Sequence, residues 1–178
     1  AGAPDCPWRD SEENDVGFRY ALCSEVFRTP IEATIRTAAS IGFDGIELAP
    51  FNVSPSVDDV SAGRRTEIRQ VAEDAGIEII GLHWLLVSPE GLHITTDDDD
   101  VRGRTARYLE SLARFCADLG GTFMVLGSPQ QRNVPKGASL GDARRRAAEL
   151  LGIVGDTCAR CGVRLLVEAL HPNETNFL

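Results

Sequence analysis

No run of eighteen apolar residues occurs in this 178-residue chain, so no segment reads as a membrane-spanning helix. The charged-then-apolar layout of a secretion leader is also missing at the N-terminus. The chain starts at Ala1 rather than Met, which leaves processing or truncation there an open question. There is no basic stripe. Eighteen Lys and Arg stand against 27 Asp and Glu, a formal charge of -9, the wrong sign for a nucleic-acid surface. The five cysteines are odd in number and follow no regular framework, which favours a reducing compartment and a cytoplasmic location. Nucleophile elbows, Walker loops and H-E-x-x-H motifs are absent.

What remains is an ordinary soluble composition, 43% hydrophobic and 25% charged, in a chain long enough for a real core. The acid is uneven. Asp5, Asp10, Glu12, Glu13 and Asp15 face only Arg9, so residues 1–16 read as a solvated, flexible tail. Asp97 to Asp100 form a run that suits a helix N-terminus, where negative charge is favoured. The run lacks the glycine and spaced ligands of a calcium loop.

Apolar spacing and turn residues divide the rest into alternating strands and helices. Gly17 to Ser24 is the first strand candidate, and Thr29-Pro30 starts a helix with Thr29 as its cap and a stripe of Ile31, Ile35, Ala38 and Ile41. Phe43 to Ala49 is a strand and 50–57 a loop. Ile68, Val71, Ala72 and Ala75 stripe the second helix, before the strand Ile77 to Trp84. A long helix runs from about Asp99 to Leu119, burying Leu109, Leu112, Ala113, Cys116 and Leu119. The strand Thr122 to Gly127 leads into an exposed polar loop, Ser128 to Ala138. Ser139 caps a fourth helix, striped by Leu140, Ala143, Ala147, Leu150, Leu151, Val154 and Cys158, and Val163 to Val167 reads as a buried fifth strand.

Helix, glycine, strand recurs at Gly42, Gly76, Gly120 and Gly162, a weak repeat of roughly forty residues. Strict alternation requires a parallel sheet, either doubly wound or closed as a (β/α)8 barrel. Long strand-to-helix loops and the absence of G-x-G-x-x-G after strand one favour the barrel. A whole barrel at this period needs on the order of 280 residues. The expectation is therefore the N-terminal part of a TIM barrel, truncated to four βα units and a fifth strand over residues 17–178, or a half-barrel that pairs with something. A complete five-stranded open α/β domain is the alternative.

Polar groups gather at the carboxyl ends of the strands, where α/β folds place their chemistry. They are Glu47, His83 with Trp84, Ser128 and Glu168, with Glu174 six residues further on. Glu47 also suits a surface acid where its strand frays, His83 a satisfied core histidine and Ser128 a Ser-Pro turn. Trp84 reads as a wall, the kind of surface that also holds sugars. Glu168 is harder to dismiss, since an isolated buried carboxylate is costly and is normally paired or neutralised. Cys158 and Cys161 form a C-x-x-C with no second half, and Cys158 continues the helix stripe, so both read as core packing rather than a zinc or redox pair. Cys6, Cys23 and Cys116 show no partner spacing.

With FDGIEL at strand two, GLHWLL at strand three, VLGSPQQRNVP after strand four and VEALHPNETNFL at the end, residues from about 18 to 178 resemble the xylose isomerase-like TIM barrels. The resemblance is to their sugar phosphate isomerase/epimerase branch, which includes ketose 3-epimerases and hydroxypyruvate isomerases. It implies a divalent metal, Mn²⁺, Mg²⁺ or Co²⁺, held by four side chains from strands five to eight, of which only Glu168 falls in this chain. It also implies that Glu168 is one of two acid/base residues, that Glu174 binds the oxygen end of the sugar, and that His83 lines the pocket or, as in the related AP endonucleases, contributes to a metal cluster. Trp84 and Glu47, at the same ends of their strands, complete the expected substrate-binding residues. The implied reaction is proton transfer beside a carbonyl through an enediolate, with a sugar or sugar phosphate as partner. Nucleic acid and membrane are not expected, and a homo-oligomer is allowed. A metal-dependent phosphodiesterase like the related AP endonucleases is one alternative, but those carry a further histidine on strand four, where Gly127-Ser128 stands here, and the acidic charge weighs against it. With the other ligands and the second acid beyond Leu178, these residues alone are expected to be inactive. A non-catalytic sugar-binding half-barrel is the remaining alternative.

Overall fold

The computed structural model describes residues 17–177; the acidic stretch read as a tail, residues 1–16, lies outside them. Five strands are present: β1 (Ala21–Cys23), β2 (Gly45–Leu48), β3 (Glu78–Leu82), β4 (Phe123–Leu126) and β5 (Arg164–Val167). Four helices alternate with them: α1 (Ile31–Ile41), α2 (Ala62–Ala75), α3 (Asp99–Asp118) and α4 (Leu140–Cys161). All pairings are parallel and the strand order is β1-β2-β3-β4-β5. This order settles the closure left open above. A doubly wound sheet reverses direction at a switch point, whereas strands added one after another, each with its helix beside the last, trace an arc of a barrel. The helices follow suit, with α1 against α2, α2 against α3 and α3 against α4.

One face of the sheet carries Ile46, Leu48, Leu82, Met124 and Leu126, all fully buried against helix residues such as Ile35, Ile68, Leu109, Leu112 and Val154. The opposite face carries Cys23, Glu47, Phe123 and Val125, all half-buried. In a closed barrel this second face is the interior. Ser61, Asp98 and Ser139 cap α2, α3 and α4 by accepting the N–H of Arg64, Val101 and Asp142 at 3.2, 3.0 and 3.0 Å, so the Asp97–Asp100 run does begin a helix. Gly42 ends α1 at φ 104°, a left-handed turn that only glycine adopts without strain.

Several sequence expectations shift. At α1 the cap position is Pro30, and Thr29 instead shares a 2.8 Å hydrogen bond with the Thr34 hydroxyl. Ile41 and Leu140 lie at helix ends, off the buried stripes, and are exposed. β1 shrinks to three residues because the chain turns into a 3₁₀ segment, Ser24–Val26, whose Ser24 hydroxyl accepts the Ala49 N–H at 2.8 Å. The stretch 50–57 is not featureless, since 3₁₀ turns form at Pro50–Asn52 and Val57–Asp59. β5, expected to be buried, leaves Leu166 46% and Val167 45% exposed, because it has β4 on one side and no strand on the other among the described residues. Nor is the loop after β4 simply exposed: Ser128 and Arg132 are buried, and Arg132 donates from Nη1 to the Leu126 carbonyl at 3.2 Å.

The tightest point of the sheet is Gly81, paired with Phe123 across β3 and β4. A side chain there would collide with the Phe123 carbonyl and ring. We therefore expect Gly81→Ala to cost on the order of 1–3 kcal/mol or more through overpacking, read as a lower urea midpoint with an unchanged slope.

Candidate functional site

In a parallel sheet, residues in register point to the same face, and so do residues two apart on one strand. Cys23 is in register with Glu47, and Glu47 with Gly81. His83, two residues past Gly81, therefore arrives on the face that carries Cys23 and Glu47. The register slips by one residue between Ile46 and Glu47, a bulge that re-aims the strand end. Without it Glu47 would be level with Ile80 and share no face with His83. On the other side, Leu126 is in register with Val167, which brings Gly127 beside Glu168.

The result is a chain of contacts across four strand ends. The Nδ1 of His83 lies 3.2 Å from Glu47 Oε2, and its Nε2 lies 3.3 Å from Glu168 Oε2. Contact with the Cys23 thiol, then with the Glu47 carboxylate, and more weakly with Glu168, pushes the His83 pKa up to about 10 against the opposing effect of burial. His83 is thus an imidazolium at neutral pH. Glu168 is 37% exposed at its side chain, so it is not the sealed carboxylate expected from the strand pattern; it sits at a cavity mouth and is neutralised by His83. Glu47 is no frayed surface acid, because its side chain is only 22% exposed and engaged with the ring.

A cavity of about 210 Å³ opens beside these groups, walled by His83, Trp84, Gly127, Glu168 and Glu174 together with Glu25 from the 3₁₀ turn after β1. Trp84 stacks on His83 with ring centroids 6.0 Å apart, and its indole Nε1 is buried with no hydrogen-bond partner among the described residues. Its backbone is left-handed at φ 57°, as is that of Ser128 at φ 26°. Strain of this kind is held only where surrounding structure over-determines it, and it clusters at binding sites. The Ser128 hydroxyl, read as a plain turn residue, accepts the Leu86 N–H at 3.0 Å and ties the loop after β3 to the loop after β4. Glu174 is exposed and accepts the His171 N–H at 3.2 Å. The buried Arg132 guanidinium has its pKa lowered by desolvation, partly offset by the charges of Glu168 and Glu174. The expected residues Glu47, His83, Trp84, Glu168 and Glu174 therefore meet at one end of the sheet.

Four contributors were missed. Cys23 shows no motif spacing, because its partners are brought to it by register rather than by local sequence. Glu25 belongs to a turn that the sequence does not announce. Arg132 was placed in an exposed loop. Gly127 works by having no side chain: a Cβ there would meet the Glu168 carboxylate. Of the side chains that the resemblance implies for a metal, only Glu168 falls among the described residues. The group of three metal-capable side chains among the described residues is instead Cys23, Glu47 and His83.

Two outcomes follow. The raised His83 pKa stabilises the folded chain fully below about pH 6.5, and this contribution is lost as pH rises through about 10. The metal-free chain should therefore lose unfolding free energy between pH 7 and 10, and His83→Gln should flatten that slope. Gly127→Ala should leave the melting temperature nearly unchanged, because a flexible carboxylate can swing aside. It should nonetheless break the Glu168–His83 contact, seen as a changed His83 titration by NMR.

Cys6 lies outside the described residues; among these, the cysteines away from this end of the sheet behave as packing, with Cys116 and Cys158 buried, Cys161 half-buried, and all three free. No helix among the described residues is long and apolar enough to cross a membrane. Against known proteins, the chain is 27% identical over 145 residues to a probable ketose 3-epimerase of Synechocystis sp., covering 79% of this chain and 46% of that protein. A D-psicose 3-epimerase of Clostridium cellulolyticum H10, solved with D-tagatose, superposes with a TM-score of 0.76 at 17% identity, over 90% of this chain and 55% of that one. An L-ribulose 3-epimerase superposes with a TM-score of 0.73 at 25% identity, over 90% and 52%. The chain thus spans about half the length of these relatives. A family model described as xylose isomerase-like TIM barrel matches residues 35–178, and with strands added in barrel order the chain belongs to that family.

Proposed function

We propose that this chain supplies the first half of a metal-dependent sugar isomerase or epimerase site, acting on a ketose or its phosphate. The observation that carries the reading is the meeting of Glu168, His83, Trp84 and Glu174 around one cavity at the carboxyl end of the sheet. The names of the relatives, sugar 3-epimerases, support the substrate class.

In this reading Glu168 takes the proton from the carbon beside the carbonyl; in an isomerase it delivers that proton on the same face to the former carbonyl carbon, and in an epimerase a second acid reprotonates the original carbon from the opposite face. His83, held by Glu47, positions the Glu168 carboxylate and tempers its charge. Trp84 gives the apolar face of the sugar ring a wall, and Glu174 accepts hydroxyl hydrogens at one end. A hard divalent ion suits the Glu168 oxygens; when bound it would polarise the carbonyl and stabilise the enediolate charge. The remaining ligands are proposed to lie outside these residues.

Solvent-deuterium exchange tests the reading. The 178-residue chain with a ketohexose and Mn²⁺ in D₂O should exchange no carbon-bound hydrogen above background. The chain continued through the fifth helix and three further βα units should exchange it, and Glu168→Gln in that longer protein should slow exchange by about 10²–10⁴-fold. Undiminished exchange in Glu168→Gln would remove Glu168 from the proton path, and turnover by the 178 residues alone would refute the need for further ligands.

A further inference from the structure

Cys23, Glu47 and His83 place a thiol sulfur, a carboxylate oxygen and an imidazole nitrogen within 4.8 Å of one another at the ends of three adjacent strands. We propose that these three side chains hold a zinc ion, at a site separate from any ion carried by Glu168. The inference does not depend on the isomerase reading, and its test measures metal rather than turnover.

The donor set points to zinc. Sulfur, nitrogen and oxygen are the three ligand types zinc accepts, and three protein ligands with water completing a tetrahedron is one of its common arrangements. A thiolate disfavours Mg²⁺, Ca²⁺ and Mn²⁺, the ions suited to an all-oxygen site. The scale is right as well. Ligands bound at about 2.0–2.3 Å around a tetrahedral ion lie roughly 3.3–3.8 Å apart, so modest side-chain rotation closes the group onto an ion. Rotation is possible because Glu47 and His83 each keep 22% of their side chains exposed and Cys23 is half-buried.

The surroundings complete the case. Nδ1 is the ring nitrogen turned toward Glu47, and Nε2 faces Glu168 at 3.3 Å. A histidine that ligates through one nitrogen and donates its other N–H to a carboxylate is the usual outer arrangement of a metal-bound imidazole. Glu168 would supply that acceptor. The three ligands sit on separate strands, with Cys23 and Glu47 in direct register, so the ion would pin the three-residue edge strand β1 to its neighbours. Binding is balanced by release of two protons, one from the Cys23 thiol and one from Nδ1, with no change of oxidation state.

The test strips the 178-residue chain with a chelator and adds Co²⁺ as a spectroscopic stand-in for zinc. One equivalent should produce a near-ultraviolet thiolate-to-cobalt band and the intense visible absorption of four-coordinate cobalt, both abolished by added zinc. Cys23→Ser should lose the near-ultraviolet band, while Cys158→Ser keeps it. Glu168→Gln should weaken binding by about tenfold or more, as for loss of an outer-shell partner, yet keep the band. Abolition in Glu168→Gln would place the ion at Glu168 and overturn the assignment, as would a band that survives Cys23→Ser. A second measurement needs no variant. With zinc present, alkylation of Cys23 by iodoacetamide, followed by peptide mass mapping, should slow by at least about tenfold, as a metal-held thiolate does, while Cys161 is unaffected. Equal Cys23 rates with and without zinc would refute the proposal.

Discussion

The one-residue register slip at Ile46 and Glu47 is the constraint on which the carboxyl end of this sheet depends. Parallel strands alternate side chains between faces with period two, so a single extra residue reverses the face of everything beyond it. Ile80 is that extra residue. By absorbing it, the sheet keeps Ile46 and Leu48 buried against the helices and still turns Glu47 toward the face reached by His83. The apolar core and the polar cluster ask for different registers on either side of Ile46, and the bulge satisfies both.

From there the chemistry passes through one ring. His83 touches carboxylates at both nitrogens, so it cannot turn toward one without releasing the other. Two acids from strands that are not neighbours, β2 and β5, are thereby joined across β3. This explains how Glu168 can stand at an exposed edge strand and still be oriented. Its own strand offers little constraint, since Leu166 and Val167 beside it are nearly half exposed. The constraint comes from His83 on one side and from the vacant side-chain position of Gly127 on the other.

Much of the fold was legible because its signals are local. Helix stripes, the cap at Ser139, the acidic run Asp97–Asp100 at the start of α3 and the helix-ending glycines are read within a few residues, and all four helices and five strands lie where those signals put them. Strand ends were read too generously: β1 stops at Cys23, before Glu25, and β3 stops at Leu82, before His83 and Trp84. Of the cluster, Glu47, His83, Trp84, Glu168 and Glu174 were visible as polar or aromatic residues at or just past strand exits, whereas Glu25 was not. Cys23 was not, although it occupies the same kind of position, because its meaning depends on standing opposite a residue 24 positions later. Arg132 was hidden for a related reason. A charged residue in a Pro- and Gly-punctuated loop reads as solvated, and only the folding of that loop back over β4 buries it.

The far end of the site depends on an amide that no chemical motif would single out. Asn133, just past Arg132, accepts from the Thr175 hydroxyl at 3.1 Å and the Asn176 N–H at 3.0 Å, and Val134 N–H donates to Asn176 Oδ1 at 2.7 Å. Glu174 is thereby anchored from behind, with its carboxylate already closing a short turn through His171 N–H. Each of these bonds is worth only about 1 kcal/mol, too little to hold the fold but enough to choose among loop conformations that differ by as much. Thus Glu168 is placed by the sheet and by His83, and Glu174 by the docking of one loop on another. The second is the softer of the two. The distance between the two carboxylates is therefore set less by the strands than by how firmly the loop after β4 holds the segment that follows β5.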